Sequence, residues 1–160
     1  MFSHVLFFTM LSLFVRDESV VSQPEEKYRP RQFYFGADLS YVNQILDHGG
    51  VYKDNGVVRD PYEIFSDHGA NLARFRLWHH PDWTRTVYGA GGKRLYNDLH
   101  DVERGIRHAK EHGMEVLLDF QFSDTWADPG KQEIPKAWEN IRSLDVLKDS
   151  VYEYVYKTLH

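Results

Sequence analysis

The chain has 160 residues, enough for one domain with a buried core, and 42% of them are hydrophobic. Its 19 Lys and Arg residues against 24 Asp and Glu give a net charge of −5, which argues against a nucleic-acid-binding protein. The absence of cysteine excludes disulfides, thiolate metal sites and a lipobox-type lipid anchor, but it does not decide the compartment. The aromatic content of 15% is high and suits a binding site built from aromatic rings.

The amino-terminal segment has the pattern of a secretory signal. An apolar run of eleven residues, Val5 to Val15, ends at Arg16. The run is too short to span a bilayer as a helix but has the length of a signal-peptide core. Because no Lys or Arg precedes it, an ordinary apolar segment or a misassigned start codon is the alternative. We predict a signal peptide over residues 1–22, a charged, proline-containing linker over 23–32, and a secreted, periplasmic or cell-surface protein without stable membrane insertion.

The first strand and the first helix have clear local signals. The β-prone run Phe33-Tyr34-Phe35 leads into Gly36, which allows close backbone approach, and then into Asp38 on the expected ligand face. After a turn-rich connection, Asp60 is expected to cap a short helix that begins at Pro61. A glycine eight residues after this proline is expected to end the helix.

Residues 72–78 alternate as a β-strand does. One face is apolar and comprises Ala73, Phe75 and Leu77, whereas the other carries Leu72, Arg74, Arg76 and Trp78. Charges inside a fold must be paired, so Arg74 and Arg76 require carboxylates, and Asp119 is one candidate. The alternative is an exposed edge strand. A long loop, residues 79–97, follows the strand and is expected to shape a cleft.

The second helix is predicted from Leu99 to His112. Its apolar stripe comprises Leu99, Val102, Ile106 and Ala109, and Gly113 is its stop. His108 and His112 fit the metalloprotease pattern His-x-x-Glu-His. However, the pair lies in the last helical turn, where the helix dipole favours histidine cations, and at the amino end of the next strand. We therefore predict no metal site there.

The next strand is predicted around Val116-Leu117-Leu118 and is followed abruptly by acids, amides and indoles. Ligands of α/β folds bind at the carboxyl ends of parallel strands. Trp126 and Trp138, close to carboxylates and amides, suit a sugar, because a sugar ring has apolar faces and a hydroxyl rim. The alternative is a solvated loop whose two tryptophans pack on the core. An amphipathic third helix begins near Leu144 and shows no stop signal before His160.

Three segments, in order, resemble the endo-β-1,4-galactanases of glycoside hydrolase family 53. They are Gly36-Ala37-Asp38-Leu39-Ser40, Asn71-Leu72-Ala73-Arg74-Phe75-Arg76-Leu77-Trp78, and the stretch from Leu117 to Trp138 that contains Trp126-Ala127-Asp128-Pro129 and Lys131-Gln132. The family usually has His where this chain has Gln121. The resemblance implies an α/β fold, the (β/α)₈ TIM barrel of about 250 residues, of which only about the first three β/α units are present. Residues 33–160 are therefore expected to be the amino-terminal part of a longer barrel.

The resemblance implies a retaining hydrolase with two catalytic glutamates. Both are expected on later strands, beyond residue 160, so no catalytic residue is assigned in this chain. Substrate contacts are implied for Asp38, Arg76, Trp78, Gln121, Ser123, Asp124 and Trp126. Arg76 would orient the nucleophilic carboxylate and keep it ionised, and Asp38 would support the floor of the cleft.

The remaining contacts implied by the resemblance are sugar contacts. Trp126, with Trp78 as a second plate, would stack on pyranose faces, and Gln121, Ser123 and Asp124 would hydrogen-bond hydroxyls. The chemistry requires no cofactor and no metal, and the expected partner is β-1,4-galactan from arabinogalactan and pectin side chains. The alternatives are a related retaining β-glycanase and a catalytically incomplete carbohydrate-binding remnant.

Overall fold

The computed structural model describes residues 33–89 and 92–160, and residues 33–160 form a compact unit of their own. In chain order the elements are β1 (Gly36–Asp38), α1 (Val42–Asp47), β2 (Tyr52–Asp54), β3 (Val57–Arg59), α2 (Pro61–Asp67), β4 (Leu72–Leu77), a 3-10 helix (Asp82–Thr86), α3 (Leu99–Glu111), β5 (Glu115–Phe120) and α4 (Leu144–Leu159). The predicted signal peptide and linker lie outside the described residues. Among the helices that are described, none combines the length and the apolar character needed to cross a membrane.

The central sheet is parallel and has the order β1-β4-β5, with β4 in the middle. Asp38 pairs in register with Arg74, and Arg76 pairs in register with Asp119. The hydrogen-bond ladder between β4 and β5 continues past the ends of the strands, because the backbone N–H of Gln121 donates to the backbone carbonyl of Leu77 at 2.8 Å. Since the three strands run in one direction, their carboxyl ends meet at a single edge of the sheet.

The apolar face of β4 forms the core. Ala73, Phe75 and Leu77 are buried on it, as the alternation predicted. Helix α3 covers this face with Val102, Gly105 and Ala109, and Leu99 and Ile106 pack at its margin. The same alternation leaves Arg74 and Arg76 on the opposite face.

Helix α2 begins and ends as its sequence predicts. The Asp60 side chain accepts hydrogen bonds from the backbone N–H groups of Tyr62 at 2.8 Å and Glu63 at 3.3 Å. Gly69, two residues beyond the helix, has a φ of +90°, a conformation that favours glycine. Tyr62 is fully buried and attaches the helix to the core. Glu63 stands three residues after the Asp60 cap, a spacing that predicts a capping box, but its carboxylate pairs with Arg59 at 2.9 Å instead.

Two expectations about residues 33–60 are wrong. The first strand is Gly36–Asp38 and not the preceding aromatic run, whose side chains are exposed. The connection before α2 is also more ordered than expected, since it contains α1 and the antiparallel hairpin β2-β3. Asn55 and Gly56 form the turn of this hairpin with φ values of 48° and 83°, and Asn-Gly is a strong two-residue hairpin signal. The expected close approach at Gly36 is confirmed, because a Cβ there would lie 3.2 Å from the Leu72 carbonyl oxygen.

Helix α4 has the predicted amphipathic sequence but buries none of its residues fully. The Ser143 side chain accepts from the Val146 N–H at 3.5 Å and caps its start. Tyr154 is the side chain through which the helix meets the core, edge-on to Phe120 with ring centroids 5.9 Å apart.

The contact between α3 and β4 depends on a glycine. A Cβ at Gly105 would lie 2.5 Å from the ring of buried Phe75. We expect Gly105→Ala to lower the free energy of unfolding by about 1–2 kcal/mol, because overpacking outweighs the gain of about 1 kcal/mol in helix propensity. Urea unfolding monitored by circular dichroism measures this, with exposed Glu103→Ala on the same helix as the control, expected within about 0.5 kcal/mol of wild type. A Gly105→Ala chain as stable as wild type would contradict the packing argument.

Candidate functional site

The two arginines of β4 are neutralised by carboxylates from both neighbouring strands. Arg74 donates to Asp38 Oδ2 at 2.6 Å with one terminal nitrogen and to Asp119 Oδ2 with the other. Arg76 Nη2 lies 2.8 Å from the same Asp38 oxygen. The prediction that both arginines require carboxylates, with Asp119 as one of them, is confirmed. Asp38 is the additional partner, and it connects β1 to the cluster.

Asp38 is held in place by Ser40, a residue that the sequence reasoning missed. The Ser40 amide and hydroxyl donate to Asp38 Oδ1 at 3.1 Å and 2.5 Å. The Ser40 hydroxyl oxygen also accepts from the Arg76 amide at 2.9 Å. Burial alone would raise the pKa of Asp38, but the Ser40 hydrogen bonds and the charges of Arg76 and Arg74 hold it below its usual range. The signal was available, since a serine two residues after an aspartate favours this local turn.

Arg76 lies between two aromatic rings. Its guanidinium carbon is 5.2 Å from the Trp126 ring centroid and 5.8 Å from that of Tyr41, both within cation–π range. Arg76 Nη1 also lies 3.4 Å from the Tyr41 hydroxyl. Tyr41 is a second site residue that the sequence reasoning missed. These contacts fix the orientation of the guanidinium at the carboxyl edge of the sheet.

Trp126 is half-exposed, and a buried tryptophan supports it from behind. Its exposed fraction is 47%, whereas that of Trp78 is 0%. The two ring centroids are 6.1 Å apart at an interplanar angle of 35°, and Trp83 meets Trp78 edge-on at 5.6 Å. Trp78 Nε1 donates to the backbone carbonyl of Thr125 at 2.8 Å. Because Thr125 directly precedes Trp126 in the chain, this bond also holds the backbone at Trp126 in position.

Two expectations about tryptophans therefore need correction. Because Trp78 has no exposed surface, it cannot stack on a ligand in this structure, and it packs behind Trp126 instead. Trp138 is 7% exposed and packs on the core, so the core-packing alternative holds for Trp138 and not for Trp126.

The three polar residues after β5 differ in how accessible they are. Gln121 is partly exposed and donates from Nε2 to Asp119 Oδ2 at 2.9 Å, which joins it to the arginine cluster. Ser123 is buried, its hydroxyl accepting from the Thr125 N–H at 3.2 Å, so a direct sugar contact is not open to it here. Asp124 accepts the Lys136 N–H at 2.8 Å with Oδ2. Of the three, Gln121 has the geometry of a ligand contact.

A concavity of about 510 Å³ opens beside Gln121. It is lined by apolar rings and by polar groups of the following loop, among them Phe120, Phe122, Asp128, Gln132 and Glu133. Its volume lies in the range of small-molecule sites, and its mixed lining suits a ligand with both apolar and hydroxyl surfaces.

His108 and His112 lie away from this edge. The His108 ring meets Tyr62 edge-on with centroids 5.3 Å apart, and His112 Nε2 is 3.9 Å from Asp60. In the part of the chain that the structure describes, no group of three His, Cys, Asp or Glu side chains could hold a metal ion.

The sequence profile of glycosyl hydrolase family 53 matches residues 34–160. The chain belongs to this family. It is 47% identical over 127 residues to an arabinogalactan endo-beta-1,4-galactanase of Cellvibrio japonicus, an alignment that covers 79% of this chain and 31% of that one. It is 39% identical over 135 residues to an endo-beta-1,4-galactanase of Bacillus subtilis, covering 81% and 29%. The chain thus spans about 30% of the length of these two relatives.

Solved structures of family 53 share the fold. The catalytic domain from Ignisphaera aggregans superposes with a TM-score of 0.68 at 39% identity, covering 79% of this chain and 34% of that one. A structure of fungal beta-1,4-galactanases superposes with a TM-score of 0.67 at 30% identity, covering 80% and 35%. The parallel strands β1, β4 and β5 with their helices are therefore part of a (β/α)₈ barrel, as expected. In this family 53 chain, the arginine cluster and Trp126 lie at the carboxyl ends of the barrel strands, the edge at which such barrels place their active sites.

A pH dependence follows from His79, which succeeds Trp78. Burial lowers the pKa of His79, outweighing the opposing effect of the nearby Asp124 carboxylate. The unfolded chain, with a histidine pKa of about 6.5, then binds the proton more readily, so stability falls as the pH drops below that value. We expect the urea midpoint to decrease between pH 7.5 and 5.5, and His79→Phe to remove part of this decrease.

The neighbouring His80, whose side chain is 55% exposed, provides the matched control. His80→Phe should change the slope of stability against pH less than His79→Phe does, because the charge of His80 is a smaller cause of the lowered pKa of His79 than burial is. If His79→Phe and His80→Phe show the same slope as wild type, the burial of His79 is not the cause.

Proposed function

We propose that this chain supplies part of the substrate cleft of an endo-acting hydrolase of β-1,4-galactan. The observation that carries the proposal is the half-exposed Trp126 ring beside Arg76, in a chain whose relatives include named galactanases. The site combines an aromatic plate with fixed charged and amide groups. This combination suits a pyranose, which stacks through its apolar face and is oriented through its hydroxyls.

The roles of the site residues follow from their contacts. Trp126 stacks on a sugar ring, supported by Trp78. Gln121, whose amide is oriented by Asp119, hydrogen-bonds a sugar hydroxyl. Asp38 does not need to touch the sugar, because its carboxylate positions the guanidinium of Arg76.

The reaction we propose is hydrolysis with retention, carried out by two glutamates that residues 1–160 do not supply. A retaining glycosidase needs its two carboxyl groups about 5–5.5 Å apart, one acting as nucleophile and the other as acid and base. Arg76 would face the nucleophile and stabilise its ionised form. This chemistry uses no metal or cofactor.

The substrate would be polymeric galactan, such as the side chains of plant pectin. A polymeric substrate outside the cell agrees with secretion, which the signal-like run Val5 to Val15 predicts. We therefore propose an extracytoplasmic enzyme whose partner is a polysaccharide.

A second candidate is a carbohydrate-binding chain without hydrolytic activity, because the half-exposed Trp126 and the partly exposed Gln121 offer sugar contacts by themselves. Galactan binding without release of reducing ends, by the chain in the form found in its source cells, would support that candidate. A third is a related retaining β-glycanase. Parallel assays on galactan, mannan and glucan separate it from a galactanase.

We expect Trp126→Ala to weaken binding of β-1,4-galactotetraose by roughly 10- to 100-fold, the loss that removal of one aromatic plate implies. Isothermal titration calorimetry on the 160-residue chain measures this directly. The fold should be retained, because about half of the ring is exposed.

Tyr152→Ala is the matched control, since Tyr152 is a 66% exposed aromatic residue on α4. Its affinity should equal that of wild type. Equal affinities in wild type, Trp126→Ala and Tyr152→Ala would eliminate the stacking role of Trp126.

A further inference from the structure

The loop that carries Trp126 is fastened at two points by residues after β4 and β5. At its start, the Ser123 carbonyl accepts from the His79 amide at 3.0 Å. At its far end, Asp124 Oδ2 accepts from the Lys136 amide at 2.8 Å, across a separation of 12 residues. Asp124 thereby closes the loop around Trp126.

The second oxygen of Asp124 is turned inward. Asp124 Oδ1 lies 3.7 Å from His79 Nδ1, and the exposed fractions of the two side chains are 17% and 21%. Both atoms are buried and have no hydrogen-bond partner among the described residues. The same holds for the hydroxyl of Tyr154.

The His79 ring is held between aromatic side chains of the loop end and of α4. It meets Trp138 with ring centroids 5.1 Å apart and Tyr154 at 4.8 Å. Because Trp138 closely follows Lys136, this packing fixes the end of the loop that Asp124 fastens. His79 is therefore in contact with the strand end, the loop and the helix at once.

We propose that Asp124 and His79 are positioning residues, which hold the Trp126 loop closed by acting on its backbone and its packing and not by touching the sugar. One oxygen of the Asp124 carboxylate is bonded to the loop backbone and the other is enclosed beside His79, so both are engaged in holding the loop. The consequence for sugar binding rests on the proposed function, whereas the closure of the loop is independent of it.

The charged and titratable groups around His79 determine how the loop responds to acid. They are Asp124 from the loop, Tyr154, Glu153 and Lys157 from α4, and His80 from the same segment. Glu153 and Lys157 pair with each other at 3.2 Å, which leaves Asp124 as the carboxylate beside the imidazole. Because burial opposes the charge on His79, acid favours the open loop, in which the imidazolium is hydrated.

Hydrogen exchange of the 160-residue chain tests loop closure independently of any sugar. In Asp124→Ala, we expect the amides of residues 125–136 to exchange roughly tenfold faster, the factor that loss of one charged hydrogen bond implies. Asp124→Asn, whose amide oxygen can still accept from Lys136, should restore part of the protection. The matched control is Asp82→Ala, because the Asp82 side chain is 59% exposed.

His79→Phe is the second variant, in case Asp124→Ala does not fold. It retains the ring packing but removes Nδ1, and we expect wild-type-like protection at pH 7.5 that no longer falls at pH 5.5. In wild type, protection of residues 125–136, corrected for intrinsic exchange rates, should fall between these pH values. Strand β4 serves as the internal reference for global folding.

Galactotetraose affinity separates the possible outcomes. Faster exchange together with weaker binding in Asp124→Ala supports the positioning role. Weaker binding with unchanged exchange would make Asp124 a direct sugar ligand and overturn it, as would unchanged exchange and unchanged binding. If Asp124→Ala exchanges faster but the wild-type chain does not bind galactotetraose, loop closure is supported and the proposed function is refuted.

Discussion

The site depends on the pairing of two arginines that the alternation of β4 places on the inner face of the sheet. Guanidinium groups in such a position are costly unless carboxylates lie within hydrogen-bond distance. Arg74 reaches Asp38 on one neighbouring strand and Asp119 on the other, so one side chain connects all three parallel strands. Asp38 is shared with Arg76, which couples the bridge to the cleft.

The paired arginines also position the exposed aromatic surface formed by Trp126. Arg76 is held by Asp38 and lies over Trp126, which in turn leans on Trp78. The exposed indole is therefore supported by one charged and one apolar contact. Such pre-organisation favours sugar binding, because less side-chain entropy is lost when the ligand stacks.

The loop after β5 adds a different kind of constraint. Asp124 Oδ2 bonds the backbone at the far end of the loop, and the His79 ring packs against Trp138 and Tyr154. Polar side chains of a loop more often face solvent or a ligand. A carboxylate used in this way gives order to the loop, and in the proposed function the sugar contacts belong to Gln121 and Trp126. The division between residues that contact a ligand and residues that hold those contacts in place is common in preformed sites.

The sequence by itself determined the local features of this protein. Alternation in β4, the Asp60 cap and the need of Arg74 for a carboxylate follow from the chemistry of adjacent or regularly spaced residues, and the structure contains all three. Only the tertiary structure decided that Trp78 is buried while Trp126 is half-exposed, and that one oxygen of Asp124 turns inward. Composition and spacing describe an indole or a carboxylate equally in either environment, because its exposure depends on which distant segments pack against it.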